Sequence, residues 1–346
     1  MASRLPDLGV GAFLVTRLPN VRYLTGFTGS NGQALLTADG GCFLTDGRYE
    51  QQSRREVPDL RRETYRSEFA SRFTEACKIL GVERVAFESE GLTHRTYSRL
   101  SESGVDLVPT TQEVERLRVV KDPEERAALE AGQAIADQAF DRITGKLSEG
   151  VTERDVALEL DFAMRALGAE AVSFDTIVAF GENAAEPHHQ PTGRSLLRGD
   201  VVKLDFGSMV NGYHSDMTRT VAVGEPEGRL KEVYEVVRRA QQAGVEAVRP
   251  GVSSGEVDRA TRDVIGEAGY GNRYGHGAGH GVGLEIHEAP WLLPEGEDAL
   301  PEGAVVTVEP GVYLEGLGGV RIEDMVEVAA AGGRVLARTT KELMIL

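Results

Sequence analysis

Four acids in the second half of the chain stand where a carboxylate is costly. Asp205 closes the apolar run VVKLDF, Asp216 directly precedes MTRTVAV, Glu309 closes AVVTVEPG, and Glu323 lies within VRIEDMVEV. Their neighbours are Val, Ile or Leu in stretches that read as strands. A carboxylate taken out of water costs several kcal/mol unless a cation or a hydrogen-bond network meets it. One such acid alone reads as a strand-end residue capping a turn or pairing with a nearby arginine, and Arg321 stands beside Glu323. Four of them, with His276, His280 and His287 among the glycines of GHGAGHGVGLEIHEAP, ask for a shared partner. Four carboxylates and one imidazole form a ligand set for two divalent cations, because carboxylates can bridge. Oxygen-rich ligation suits manganese first, with cobalt, iron or zinc as alternatives. Two cations held ~3.5–4 Å apart bring the pKa of a shared water towards neutrality.

The elements that must position these groups are legible in outline. GAFLV, QALLT, GCFLTDG and ERVAFESEG read as strands separated by turn signals. EFASRFTEACKILG has helical spacing (Phe69, Phe73, Cys77, Leu80) and stops at Gly81. Pro123 opens a long helix with Leu129, Ala136, Phe140, Ile143 and Leu147 on one face. GVTERDV and GVSSGEV begin at Gly150 and Gly251, an offset of 101 residues. Thr152 and Ser253 each precede an acid by three positions, a capping-box pattern, and Gly168 and Gly269 close both stretches. An internal duplication follows, with the equivalent strands of two half-units at the centre.

Composition narrows the function classes. The chain of 346 residues is long enough for two domains, a break falls at VVKDPEERAA, and α/β (α+β) domains over 1–118 and 119–346 are expected. Residues 1–118 carry 16 basic and 16 acidic side chains, whereas 119–346 carry 22 and 39, so the whole excess of −17 lies in the second part. That balance argues against nucleic acid and anionic lipid as partners. No apolar run approaches ~18 residues, so no membrane span is expected. MASRLPDLGVGAFLV lacks the form of a secretory leader, and two cysteines, Cys42 and Cys77, make no disulfide framework; a cytoplasmic setting is expected. His94 and His189 read as plain surface or core histidines, and GHGAGHGVG lacks the flanking strand and helix of a dinucleotide loop.

The order DFG, SDMTRT, GHGVGLEIHE, EPG, RIED resembles the metallopeptidases of the pita-bread fold, within them the proline-specific branch of Xaa-Pro dipeptidase (prolidase) and aminopeptidase P. NVRYLTGFTGSNGQALLTADGGCFLTDGRYEQQ is similar to that branch's creatinase-like N-terminal domain, and NAAEPHHQPT to its segment with a substrate-facing histidine. The resemblance implies that Asp205, Asp216, His280, Glu309 and Glu323 hold the metals, with Asp216 and Glu323 bridging. It implies Glu309 as proton shuttle, and His188 and His287 as groups that steady the intermediate and the leaving group. His276 resembles the extra histidine of the proline-specific branch, Arg321 would orient Glu323, and Tyr213 would bond within the pocket. The implied substrate is a small peptide with proline at the second position, its apolar pocket wall expected near His276 to Leu284, and a homodimer is implied.

Release of proline from dipeptides is the leading reading, because the chain is compact. Removal of the residue before proline from longer peptides is the alternative. Two others stay open: hydrolysis of a creatine-like substrate without metals, and a non-catalytic binding protein of the same fold.

Overall fold

The computed structural model describes residues 1–66 and 68–346, and the chain divides into two compact units, Met1–Arg118 and Val119–Leu346. The first unit is a six-stranded sheet with helices. Ala12–Val15 lies inside it, antiparallel to Gly32–Thr37 and parallel to Arg84–Glu88. The expected helix runs Phe69–Leu80 and ends on Gly81, whose φ of 67° suits a residue without Cβ. Phe73, Ala76 and Cys77 bury its apolar face against Leu14, Leu35 and Val85.

The second unit is built twice. A 22-residue helix Pro123–Thr144 precedes the 14-residue helix Glu153–Ala166; a 20-residue helix Gly228–Ala247 precedes the 14-residue helix Ser254–Glu267. Thr152 with Asp155, and Ser253 with Glu256, close reciprocal capping boxes, each worth about 0.5–2 kcal/mol. Each pair of helices leads into three antiparallel strands. In the first half these are Ile177–Phe180, Val201–Phe206 and Met217–Ala222; in the second, Gly279–Gly281, Val305–Val308 and Asp324–Ala329.

The two-residue period of a strand then sorts the side chains. Val202, Leu204 and Phe206 pack on the helices of the first half with Phe140, Leu160 and Met164. Lys203 and Asp205 are therefore turned to the opposite, inward face. Val306, Val308, Val326 and Val328 do the same in the second half against Val245 and Val257. The halves join where Glu323 N–H donates to Thr218 O (3.1 Å) and the Thr220 hydroxyl donates to Arg321 O (3.0 Å).

One helix boundary differs from expectation. The helix opened by Pro123 stops at Thr144, and Leu147 reaches the same core from the turn beyond it. Gly145 is the poor helix former that ends the run.

Candidate metal centre

The duplicated architecture puts the four acids at matching places. Asp205 lies near the end of the second strand of its half and Glu309 just past the end of the second strand of its own. Asp216 and Glu323 each directly precede a third strand. All four line one cavity of about 520 Å³, together with His188, His276, His280, His287 and Arg321. Single ligand atoms of Asp216, His280 and Glu323 lie within 4.8 Å of one another. Nε2 of His280 stands 3.3 Å from Glu309 Oε1 and 3.7 Å from Asp216 Oδ2.

His280 owes its place to its glycines. A Cβ on Gly279 would fall 2.1 Å from Thr307 O, and one on Gly281 2.2 Å from Ala289 O. Only a bare backbone can run this close to its neighbours. With Nδ1 against Gly281 O at 3.1 Å, the tautomer that donates there leaves Nε2 facing the carboxylates.

The electrostatics are those of a cation site. Burial raises the pKa of Asp216 and of Glu323, and the neighbouring carboxylates raise both further. Burial opposes charge on His280, yet Glu309 and Asp216 outweigh it and carry its pKa up to about 9. Burial likewise opposes charge on Glu309, but His280 and Arg321 hold its carboxyl at about 2. Asp205 Oδ1 is buried without a hydrogen-bond partner among the described residues. Hard oxygen donors, one imidazole nitrogen and an unsatisfied carboxylate oxygen fit divalent cations.

The remaining residues divide. His276 is fixed at both nitrogens: Nδ1 at 2.9 Å from Gly277 O and Nε2 at 2.9 Å from the Tyr313 hydroxyl. Burial keeps the Tyr313 proton on, so this hydroxyl donates to Nε2 while accepting from Arg321 Nη1 at 2.9 Å. His287 meets His280 edge to face at 4.4 Å between ring centroids and stacks on Trp291 at 6.4 Å. Burial and the His280 charge lower its pKa, which keeps it neutral.

One expectation needs correction, and two are made specific. Arg321 reaches Glu323 through Thr218 rather than by a direct bond. Its Nη2 pairs with Asp205 Oδ2 and its Nε donates to Thr218 Oγ1 (3.1 Å), and Thr218 in turn donates to Glu323 Oε2 (2.6 Å). Tyr213 does not line the cavity; its hydroxyl bonds Glu125 Oε1 at 2.8 Å, because its short strand packs beside the helix that begins at Pro123. Of the stretch expected to hold the apolar wall, His276, Gly277, Gly279 and His280 line the cavity and Leu284 does not, and Phe174, Ile177, Ile286, Trp291 and Leu293 add apolar lining.

Two supports escaped the sequence. Tyr313 follows EPG by two residues but reads there as an ordinary strand residue, and Thr218 is signalled only by its place in SDMTRT.

Comparison with known proteins agrees with this geometry. Residues 127–330 match the family described as metallopeptidase family M24, and residues 2–120 match the creatinase/prolidase N-terminal domain. The chain is 43% identical over 342 residues to an uncharacterised peptidase, YqhT, of Bacillus subtilis strain 168, covering 98% of this chain and 97% of that protein. It superposes on the Xaa-Pro dipeptidase from Bacillus anthracis with a TM-score of 0.97 at 41% identity, covering 99% and 97% of the two chains. On the X-Pro aminopeptidase from Thermotoga maritima MSB8 the TM-score is 0.92 at 34% identity, covering 99% and 100%.

Proposed function

Because the chain belongs to metallopeptidase family M24 and carries the creatinase/prolidase N-terminal domain, we propose that it hydrolyses Xaa-Pro bonds and releases proline from dipeptides. The observation that carries this reading is the convergence of Asp205, Asp216, His280, Glu309 and Glu323 in one cavity. These five would hold two divalent ions, manganese first, with cobalt, iron or zinc as alternatives. When bound, the ions supply Lewis acidity and a hydroxide nucleophile at neutral pH.

The rest of the chemistry belongs to the chain. Asp216 and Glu323 would serve both cations, and Asp205, His280 and Glu309 would serve one each. Glu309 stays ionised at neutral pH beside His280, so it takes the proton of the attacking water and passes it to the departing proline nitrogen. His188 and His287 donate to the oxygen on which negative charge develops. His276, pinned by Tyr313, orients the substrate. Tyr213 has no part in this scheme. An Xaa-Pro bond has no N–H, and its ring fixes φ near −65°. The wall of Phe174, Ile286, Trp291 and Leu293 accommodates such a ring without demanding an amide donor.

A second reading has one observation in its favour. Arg321 is the one guanidinium lining the cavity, and it is committed to Asp205, Thr218, Tyr313 and Pro187. Among the described residues a dipeptide's free carboxylate then finds neutral or imidazole donors and no uncommitted guanidinium, which favours longer peptides and an aminopeptidase P activity. Comparing rates on Xaa-Pro and Xaa-Pro-Yaa peptides, alongside metal analysis of the purified protein, tests both readings. Faster cleavage of the tripeptide selects the second, and no proline or Xaa release from any peptide defeats both. A cytoplasmic setting is proposed, in keeping with buried Cys42 and Cys77; among the described residues no helix is long and apolar enough to cross a membrane. A homodimer is proposed on the family resemblance alone.

A further inference from the structure

Lys203 is fully buried on the strand Val201–Phe206, two residues before Asp205 and therefore on the same inward face. Buried ammonium groups are normally paired with carboxylates. This one meets carbonyl oxygens instead. Its Nζ donates to Glu186 O (2.5 Å), Ala184 O (3.2 Å) and Pro187 O (3.3 Å). It also lies 5.3 Å from the centre of the Tyr313 ring. Arg321 Nη1 adds a second donor to Pro187 O at 3.2 Å. The three carbonyls belong to the turn that delivers the next residue, His188, into the cavity.

One Nζ holds these carbonyls from a single point, and each acceptor it holds restricts the turn. We propose that Lys203 is a positioning residue for His188: its side chain gathers the carbonyls of residues 184–187 and so sets where the imidazole stands. The inference rests on the role given to His188 above. It adds a residue whose effect passes through the backbone rather than through any ligand of the cations.

The test is a double-mutant cycle with a second, turnover-free readout. Lys203→Met keeps length and burial and is expected to lower kcat about 10–100-fold, as displacements of catalytic groups do, with little change in KM. In a His188→Ala background the same change is expected to leave the rate within about a factor of two, because the group it positions is already gone. Lys203→Gln, which still donates to the carbonyls, is expected to recover part of the loss, and it replaces Lys203→Met in the cycle should that variant not fold. An equal loss in both backgrounds, or no loss in the first, overturns the proposal. Hydrogen exchange judges it independently of activity: residues 184–188 lose protection in the variant while Val201–Phe206 keeps its own. Unchanged protection at 184–188 overturns it too, whereas a wild-type protein that cleaves no Xaa-Pro peptide defeats the functional reading instead.

Discussion

Nη2 of Arg321 lies 2.5 Å from one carboxylate oxygen of Asp205, while the other oxygen, Oδ1, is buried with no hydrogen-bond partner among the described residues. One side of this carboxylate is therefore neutralised by the protein, and the other is left unsatisfied. The arrangement orients Asp205 without satisfying it, as partners outside the ligand set commonly do for metal-binding carboxylates.

Arg321→Met removes that partner together with the bonds to Thr218, Tyr313 and Pro187. Breaking a buried pair this way costs about 3–5 kcal/mol of stability. Divalent-cation affinity should also fall about 10–100-fold, because Asp205 and, through Thr218, Glu323 lose their orientation. Calorimetric titration with manganese checks this; an unchanged dissociation constant would refute the supporting role.

Metal removal should abolish proline release and lower thermal stability together. A cation at about 100 times its dissociation constant adds about 2.7 kcal/mol to a protein that binds it only when folded. Melting curves with chelator and with added manganese should therefore separate clearly. Coincident curves would mean that the acids gather for some other reason.

Glu309→Gln keeps the shape of the side chain but cannot take up a proton. Activity should fall about 10²–10⁴-fold, the usual contribution of general acid–base catalysis. A variant with full activity would remove Glu309 from the proton shuttle.

Tyr313→Phe deletes the hydroxyl that links His276 to Arg321. A hydrogen bond to a charged group is worth about 1.5–3 kcal/mol, so a stability loss in that range is expected from urea unfolding. A loss confined to activity would show that the hydroxyl serves only the substrate.

Glu153 supplies a pH dependence away from the cations. It is fully buried, and burial raises its pKa, but bonds from Thr192, Phe180 N–H, Asn183 and His189 outweigh this and leave it lowered. A lowered carboxylate pKa means that the folded state binds fewer protons. Its contribution is present above the ordinary value of about 4.5 and is lost as pH falls through the folded value. The stability gap between wild type and Glu153→Gln should therefore be wide at pH 7 and narrow under acid conditions. A gap independent of pH would contradict the assignment.

Much of this was readable before any coordinates. The capping boxes at Thr152 and Ser253 and the glycine stops are local events, decided by a side chain bonding its own backbone three residues on. The four acids proposed to hold metal were conspicuous because each breaks the apolar pattern of its own strand. Tyr313 and Lys203 were not. A tyrosine or a lysine in a strand violates little, and their importance depends on which distant carbonyl or imidazole the fold brings opposite. Tyr213 misled for the same reason: nearness to Asp216 in sequence says nothing about which way a neighbouring strand points.

The sequence by itself determined the periodicities, the caps, the duplication and the set of groups able to bind cations, because these depend on spacing along one chain. Only the tertiary structure decided that Arg321 answers Asp205 rather than Glu323, and that Lys203 faces carbonyls rather than an acid. Those pairings span from 16 to more than 100 residues, and at such separations the partner is chosen by how sheets and turns pack, not by the order of the residues.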